Sequence, residues 1–96
     1  MTRYSLSERA DQDFESIYLY GLVNFGLRQA DAYADGLEAR FEQIALQPSL
    51  YPAIDHIRPG YRYSVYKRHS IYYQVAGHEV VIIRILRSQD LGMAFE

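Results

Sequence analysis

The stretch IIRILRSQD, Ile82 to Asp90, opens as a buried-strand pattern and turns basic at Arg84 and Arg87. An arginine inside an apolar run serves either a site for an anion or a grip on another protein's carboxylate. Its neighbours along the chain are cationic. Residues 56–96 carry Arg58, Arg62, Lys67, Arg68, Arg84 and Arg87 against three acids, a balance of +3, and hold all three histidines (His56, His69, His78). Residues 1–55 carry four arginines against nine acids, a balance of −5. A basic half invites an acidic partner, either protein or nucleic acid. The histidines fall in no HExxH-like metal spacing, and there is no glycine-rich phosphate loop. With no cysteine, neither a disulfide framework nor a thiolate metal site is possible. No cofactor or metal is expected.

The elements that must position these groups follow from length and periodicity. Ninety-six residues make one domain, 1–96. MTRYSLSERADQDF has no apolar leader-like run, and no stretch approaches ~18 apolar residues, which predicts a soluble chain without a span. The lack of cysteine fits a reducing cytoplasm. Ten tyrosines and no tryptophan suit either a partner-completed interface or a sheet with its hydroxyls at the rim.

TRYSL is short and strand-competent. Ser7 is a plausible N-cap, followed by Glu8, Asp11 and Asp13 where a helix dipole favours acids. Ala10, Phe14, Ile17 and Gly21 then recur at helical spacing to about Asn24, and Gly26 is a natural stop. A second helix from near Leu27 to about Leu46 carries a stripe of Ala30, Tyr33, Ala34, Leu37, Phe41, Ile44 and Ala45. The short joint makes the two helices an antiparallel hairpin. Pro48, Pro52 and Pro59-Gly60 mark a loop. Three strand-like runs follow, YRYSVY, SIYYQV and EVVIIRIL, close enough together for an antiparallel meander. The expected fold is a two-layer α+β domain in the order β-α-α-β-β-β, a helical hairpin packed on a small antiparallel sheet.

Alternation divides the strands into two faces. Tyr61, Tyr63, Val65, Ile71, Tyr73, Val75, Val81, Ile83 and Ile85 form a uniformly apolar set, assigned to the helices. Arg62, Ser64, Tyr66, Ser70, Tyr72, Gln74, Val80, Ile82, Arg84 and Leu86 form a mixed set, assigned to the open face. Its aliphatic and aromatic members suggest a binding surface. Alternatively, the tail LGMAFE folds back over it.

The run LQPSLYPAIDHIRPGYRYSVYKRHSIYYQVAGHEVVIIRILRSQD resembles the second half of the ParE toxins, within the RelE/ParE superfamily of bacterial type II toxin–antitoxin systems. YSLSERADQDFESIYLYGLVNFG and QADAYADGLEARFEQIALQP extend the resemblance over nearly the whole chain. It implies the fold derived above. It also implies neutralisation by a ParD-type antitoxin with a ribbon-helix-helix DNA-binding half, so that operator DNA is met only indirectly, and DNA gyrase as the target. RelE-type relatives instead cleave mRNA on the ribosome.

Cleavage through a 2′-OH needs a base, an acid for the leaving oxygen, and cations around the phosphate. Against the RelE pattern, Arg62 keeps the first basic position of the second strand, but the other two cationic positions fall on Ser64 and Ser70. Arg87 stands where ParE proteins often carry histidine, and a guanidinium does not exchange protons near neutral pH. His69 and Glu79 are the remaining acid–base candidates, although a solvated turn histidine and an exposed edge glutamate are the plainer readings. The expectation is a non-catalytic toxin acting by protein contact, with a ribosome-dependent mRNA endoribonuclease as the alternative. Expected antitoxin contacts are Tyr20, Arg62, Tyr72, Arg84 and Leu86. Target-binding candidates are Arg87 and, in the tail, Asp90, Met93 and Phe95.

Overall fold

The computed structural model describes residues 3–88. The order is β1 (Arg3–Leu6), α1 (Glu8–Phe25), α2 (Leu27–Leu46), a 3-10 turn at Pro48–Leu50, β2 (Tyr61–Tyr66), β3 (His69–Ala76) and β4 (Glu79–Arg87).

Local chemistry sets the boundaries. Ser7 accepts the Ala10 amide proton at 3.0 Å through Oγ, capping α1. The same hydroxyl donates to the Ile83 carbonyl at 2.8 Å, which ties the helix start to the sheet. Gly26, at φ 92°, ends α1 and starts α2 in a conformation that a side chain would strain. Lys67 takes φ 52° in the two-residue turn between β2 and β3. A positive φ suits the twist of a tight hairpin, at some cost for a non-glycine residue.

The sheet runs β1-β4-β3-β2. Strands β2, β3 and β4 form the expected antiparallel meander. β1 adds in parallel on the far side of β4, with Tyr4 opposite Val80 and Leu6 opposite Ile82. The most continuously apolar strand thereby becomes an interior one, as such runs prefer. The core joins Ala10 of α1, Leu37, Phe41 and Ile44 of α2, and Ile71, Tyr73, Val80, Ile82 and Ile85 of the sheet.

The expected division of the sheet faces is wrong in two places. In β2 the helix-facing residues are Arg62, Ser64 and Tyr66, the cross-strand partners of Tyr73, Ile71 and His69. Ser64 is buried, whereas Val65 is 47% exposed. Polar residues fit beneath α2 because Arg40 reaches down to them. Its Nη1 donates to Ser64 Oγ and to the Val65 carbonyl, each at 2.8 Å. In β4 a register shift opposite Tyr72 and Tyr73 adds one residue, and such a bulge reverses the alternation. Val80 and Ile82, expected on the open face, are fully buried together with Ile85. The apolar patch inferred from Val80, Ile82 and Tyr66 therefore does not exist, since these three belong to the core or pack against it.

Candidate binding groove and the groups around it

The C-terminal half of α1, YLYGLVNF, is apolar on every side. A helix of this kind must be covered all round, yet Leu19, Tyr20, Leu22, Val23 and Phe25 are all exposed. Between this half of α1 and the facing side of α2 lies a groove of about 560 Å³. Ile17, Tyr18, Tyr20, Gly21 and Phe25 line it from α1, and Ala30, Tyr33, Ala34 and Leu37 line it from α2. Tyr20 packs edge-on against Phe25, their ring centres 6.3 Å apart. Tyr18 donates its hydroxyl proton to Asp31 at 2.6 Å, and that bond raises its pKa. The helices lie close at Gly21, where a Cβ would meet Ala30 in ordinary contact at 3.5 Å.

The other end of the groove is cationic. Lys67, Arg68, His69 and Arg87 line it, and no carboxylate does so among the described residues. The tight turn presents Lys67 and Arg68, while Arg87 is the cross-strand partner of His69. The Lys67 ammonium sits 5.9 Å from the Tyr33 ring centre and 5.5 Å from that of Tyr66. His69 is not the solvated turn residue that the sequence suggested. It opens β3, is half-buried, and has Nδ1 2.6 Å from Tyr33 Oη. Burial, helped by the Arg87 charge, lowers its pKa. Burial likewise raises that of Tyr33.

The sequence-derived contact set is divided by the fold. Tyr72, Arg84 and Leu86 share a region of β3 and β4, with Tyr72 opposite Arg84 and Leu86 opposite Ser70. Tyr72 is nevertheless buried and stacks on Tyr63 at 6.1 Å. Arg84 is paired within the chain: Nε and Nη2 donate to the Asp13 carboxylate at 2.7 and 3.1 Å. That pairing raises the guanidinium's pKa further. Arg62 sits on the helix side of the sheet, not on the open face, because β2 has the reverse alternation. Its Nη1 donates to the Tyr51 carbonyl at 2.7 Å. Tyr20 lines the groove, and Arg87 lies at its cationic end. Asp90, Met93 and Phe95 lie outside the described residues.

Tyr18, Phe25, Tyr33, Lys67 and Arg68 line the groove and were not singled out from sequence. The all-round apolarity of YLYGLVNF was the available signal. The described residues contain no cluster of three or more His, Asp or Glu able to hold a metal ion. Nor does any helix among them have the length and apolarity to cross a membrane.

A solved structure titled "Chromosomal ParDE TA system from P. aeruginosa" shares this fold. It superposes with a TM-score of 0.81 at 21% identity, over 93% of this chain and 98% of that one. The sequence comparisons are more specific. The chain is 38% identical over 86 residues to Toxin ParE1 of Caulobacter vibrioides, covering 90% of this chain and 88% of that protein. It is 32% identical over 89 residues to Toxin ParE1 of Mycobacterium tuberculosis, covering 92% and 91%. Residues 4–92 match the family described as ParE toxin of type II toxin-antitoxin system, parDE. The chain belongs to the ParE toxin family of type II toxin–antitoxin systems.

Proposed function

We propose that this chain is a cytoplasmic toxin held inactive by a ParD-type antitoxin, and that it poisons DNA gyrase by protein–protein contact rather than by cutting RNA. The observation that carries the antitoxin reading is the groove. It joins an apolar, aromatic trough to a cationic end and has no carboxylate among its described lining residues. Such a surface suits an amphipathic helix bearing acids. Tyr20 contacts that helix within the groove. Tyr72, Arg84 and Leu86 form a second region of contact if the antitoxin wraps onto the sheet, and Arg62 contributes only at the margin. Operator DNA is reached through the antitoxin alone.

The gyrase reading draws on family membership and on the state of the cationic strand positions. Ser64 is occupied by Arg40, Ser70 bonds Ser88 at 2.8 Å, and Arg62 is committed to Tyr51. Among the described residues, these three strand positions offer no free cation to a phosphate, and transition-state charge on phosphorus would go unmet there. Arg87 and the tail residues Asp90, Met93 and Phe95 are the proposed target contacts.

The test uses the isolated protein with purified gyrase, scored for lost supercoiling or trapped cleavage complexes. Unchanged supercoiling at excess toxin would remove the gyrase reading. The His69–Tyr33 pair beside Arg87 is the one feature that favours a ribosome-dependent endoribonuclease. Loss of full-length reporter mRNA in a translating extract, abolished by His69→Gln, would install that reading instead.

A further inference from the structure

Tyr33 has one hydroxyl proton and two acceptors within reach. His69 Nδ1 lies 2.6 Å away and the Tyr66 carbonyl 3.4 Å away. With His69 neutral, Tyr33 donates to Nδ1. With His69 protonated, Nδ1 becomes the donor, and the tyrosine proton turns to the Tyr66 carbonyl. The Tyr33 hydroxyl thus has a hydrogen-bond partner in either protonation state of His69.

Among the described residues, the charges around it all have one sign. Arg87 faces His69 from β4, Lys67 and Arg68 from the turn, α2 supplies neutral Tyr33, and β2 supplies neutral Tyr66. The α1 side of the groove lends no charged side chain. Among the described residues, the imidazolium of the free protein therefore has cationic company and no counter-ion. An occupant that brought a carboxylate to this end would supply one.

We propose that the cationic end of the groove is a carboxylate-binding subsite whose grip is set by the protonation of His69, with Arg87 as the constant charge. This rests on the reading of the groove as the seat of an acidic amphipathic helix, and adds which end of it carries the acid and how pH acts on it. The lining from Phe14 to Phe25 spans about 16 Å at helical rise, roughly three turns of an occupying helix. Its apolar residues lie along Tyr20, Gly21 and Ala34, and its carboxylate ends beside Arg87 and His69. A carboxylate that favours the imidazolium must bind more tightly as pH falls.

The probes are two synthetic amphipathic peptides of about 14 residues. They share one apolar stripe, and one ends in paired glutamates where the other carries glutamines. The glutamate peptide should bind more tightly, and its Kd should fall about fivefold between about pH 7.5 and pH 5.5 if the bound carboxylate raises the histidine pKa by a unit. The glutamine peptide should show no such slope. His69→Gln should flatten the slope while Arg87→Gln weakens binding at every pH. In the wild type, NMR titration of the His69 ring should show its pKa rising when the glutamate peptide is added, a reading independent of any variant. Equal affinity for both peptides, a pH-independent Kd, or an unmoved His69 pKa overturns the subsite while leaving the groove reading intact. Failure of both peptides to bind overturns the groove reading and the subsite together.

Discussion

Asp13 is the joint where α1 meets the free side of β4. β1 accompanies β4 only as far as Ile82, so the next outward amide would be left open. The Asp13 carboxylate closes it, accepting the Ile85 amide proton at 3.0 Å while also holding Arg84 at 2.7 and 3.1 Å. Both side chains are mostly buried, at 16% exposure for Asp13 and 22% for Arg84. Asp13→Ala removes three hydrogen bonds at once. The charge-assisted pair contributes about 1.5–3 kcal/mol and the orphaned amide about 1 kcal/mol, so the loss should be about 2–4 kcal/mol. Asp13→Asn keeps an oxygen for the amide and should lose about half as much. Arg84→Ala leaves the carboxylate on the amide and should also fall between Asp13→Ala and wild type. Urea denaturation at neutral pH measures all three, and the double variant completes a cycle whose coupling should be at least about 1 kcal/mol. A loss for Asp13→Ala under about 0.5 kcal/mol, with unchanged m, would refute this account of the β4 edge.

Three further outcomes are expected. Gly36→Ala should destabilise the fold by about 1–2 kcal/mol, although alanine is the better helix former, because the new Cβ would lie 1.8 Å from Tyr66 Oη and overpacking outweighs propensity; thermal melts test the sign, and a gain would show that the Tyr66 ring yields freely. Ser7→Ala should lower stability by about 1–2 kcal/mol in chemical denaturation, since one hydroxyl serves both the α1 cap and the Ile83 carbonyl. Because the pKa of His69 is lowered on folding, the unfolded chain takes up its proton first. The ligand-free protein should therefore lose stability as pH falls below about 6.5 and down through the folded pKa, and His69→Gln should flatten that limb of the stability profile.

The elements were legible because each boundary has a local cause. Ser7, Gly26, the prolines after Leu46 and the two short turns act within a few residues, and the helices and meander fall where these place them. The parallel docking of β1 on β4 was not legible. It depends on partners 76 residues apart, Ser7 and Ile83 among them. The faces of the sheet failed for two physical reasons. Arg40 satisfies Ser64 from above, so hydrogen bonding overrode the apolar alternation of β2. The extra residue in β4 reversed the alternation halfway along the strand, and nothing in VVIIRIL marks where. Arg84 was legible as an arginine needing a carboxylate. That its own chain supplies one in Asp13 requires the tertiary fold. His69 looked exposed because its turn is short. Tyr33, read as one more member of an apolar stripe, is what holds it.

The order of the sheet has a consequence for how the protein comes into being. β4 is the last strand of the described chain to leave the ribosome, yet it lies inside the sheet, with β1 on one side and β3 on the other. Until it arrives, β1 has no neighbour to pair with, the cap at Ser7 lacks its carbonyl anchor, and Asp13 has neither arginine nor amide to receive. The closing contacts join residues 76 apart in sequence, such as Ser7 and Ile83, and so form late. A nascent or truncated fragment lacking β4 should thus be inert as well as unfolded. In a chain of a toxin family, this topology confines the folded form to polypeptide that already includes β4.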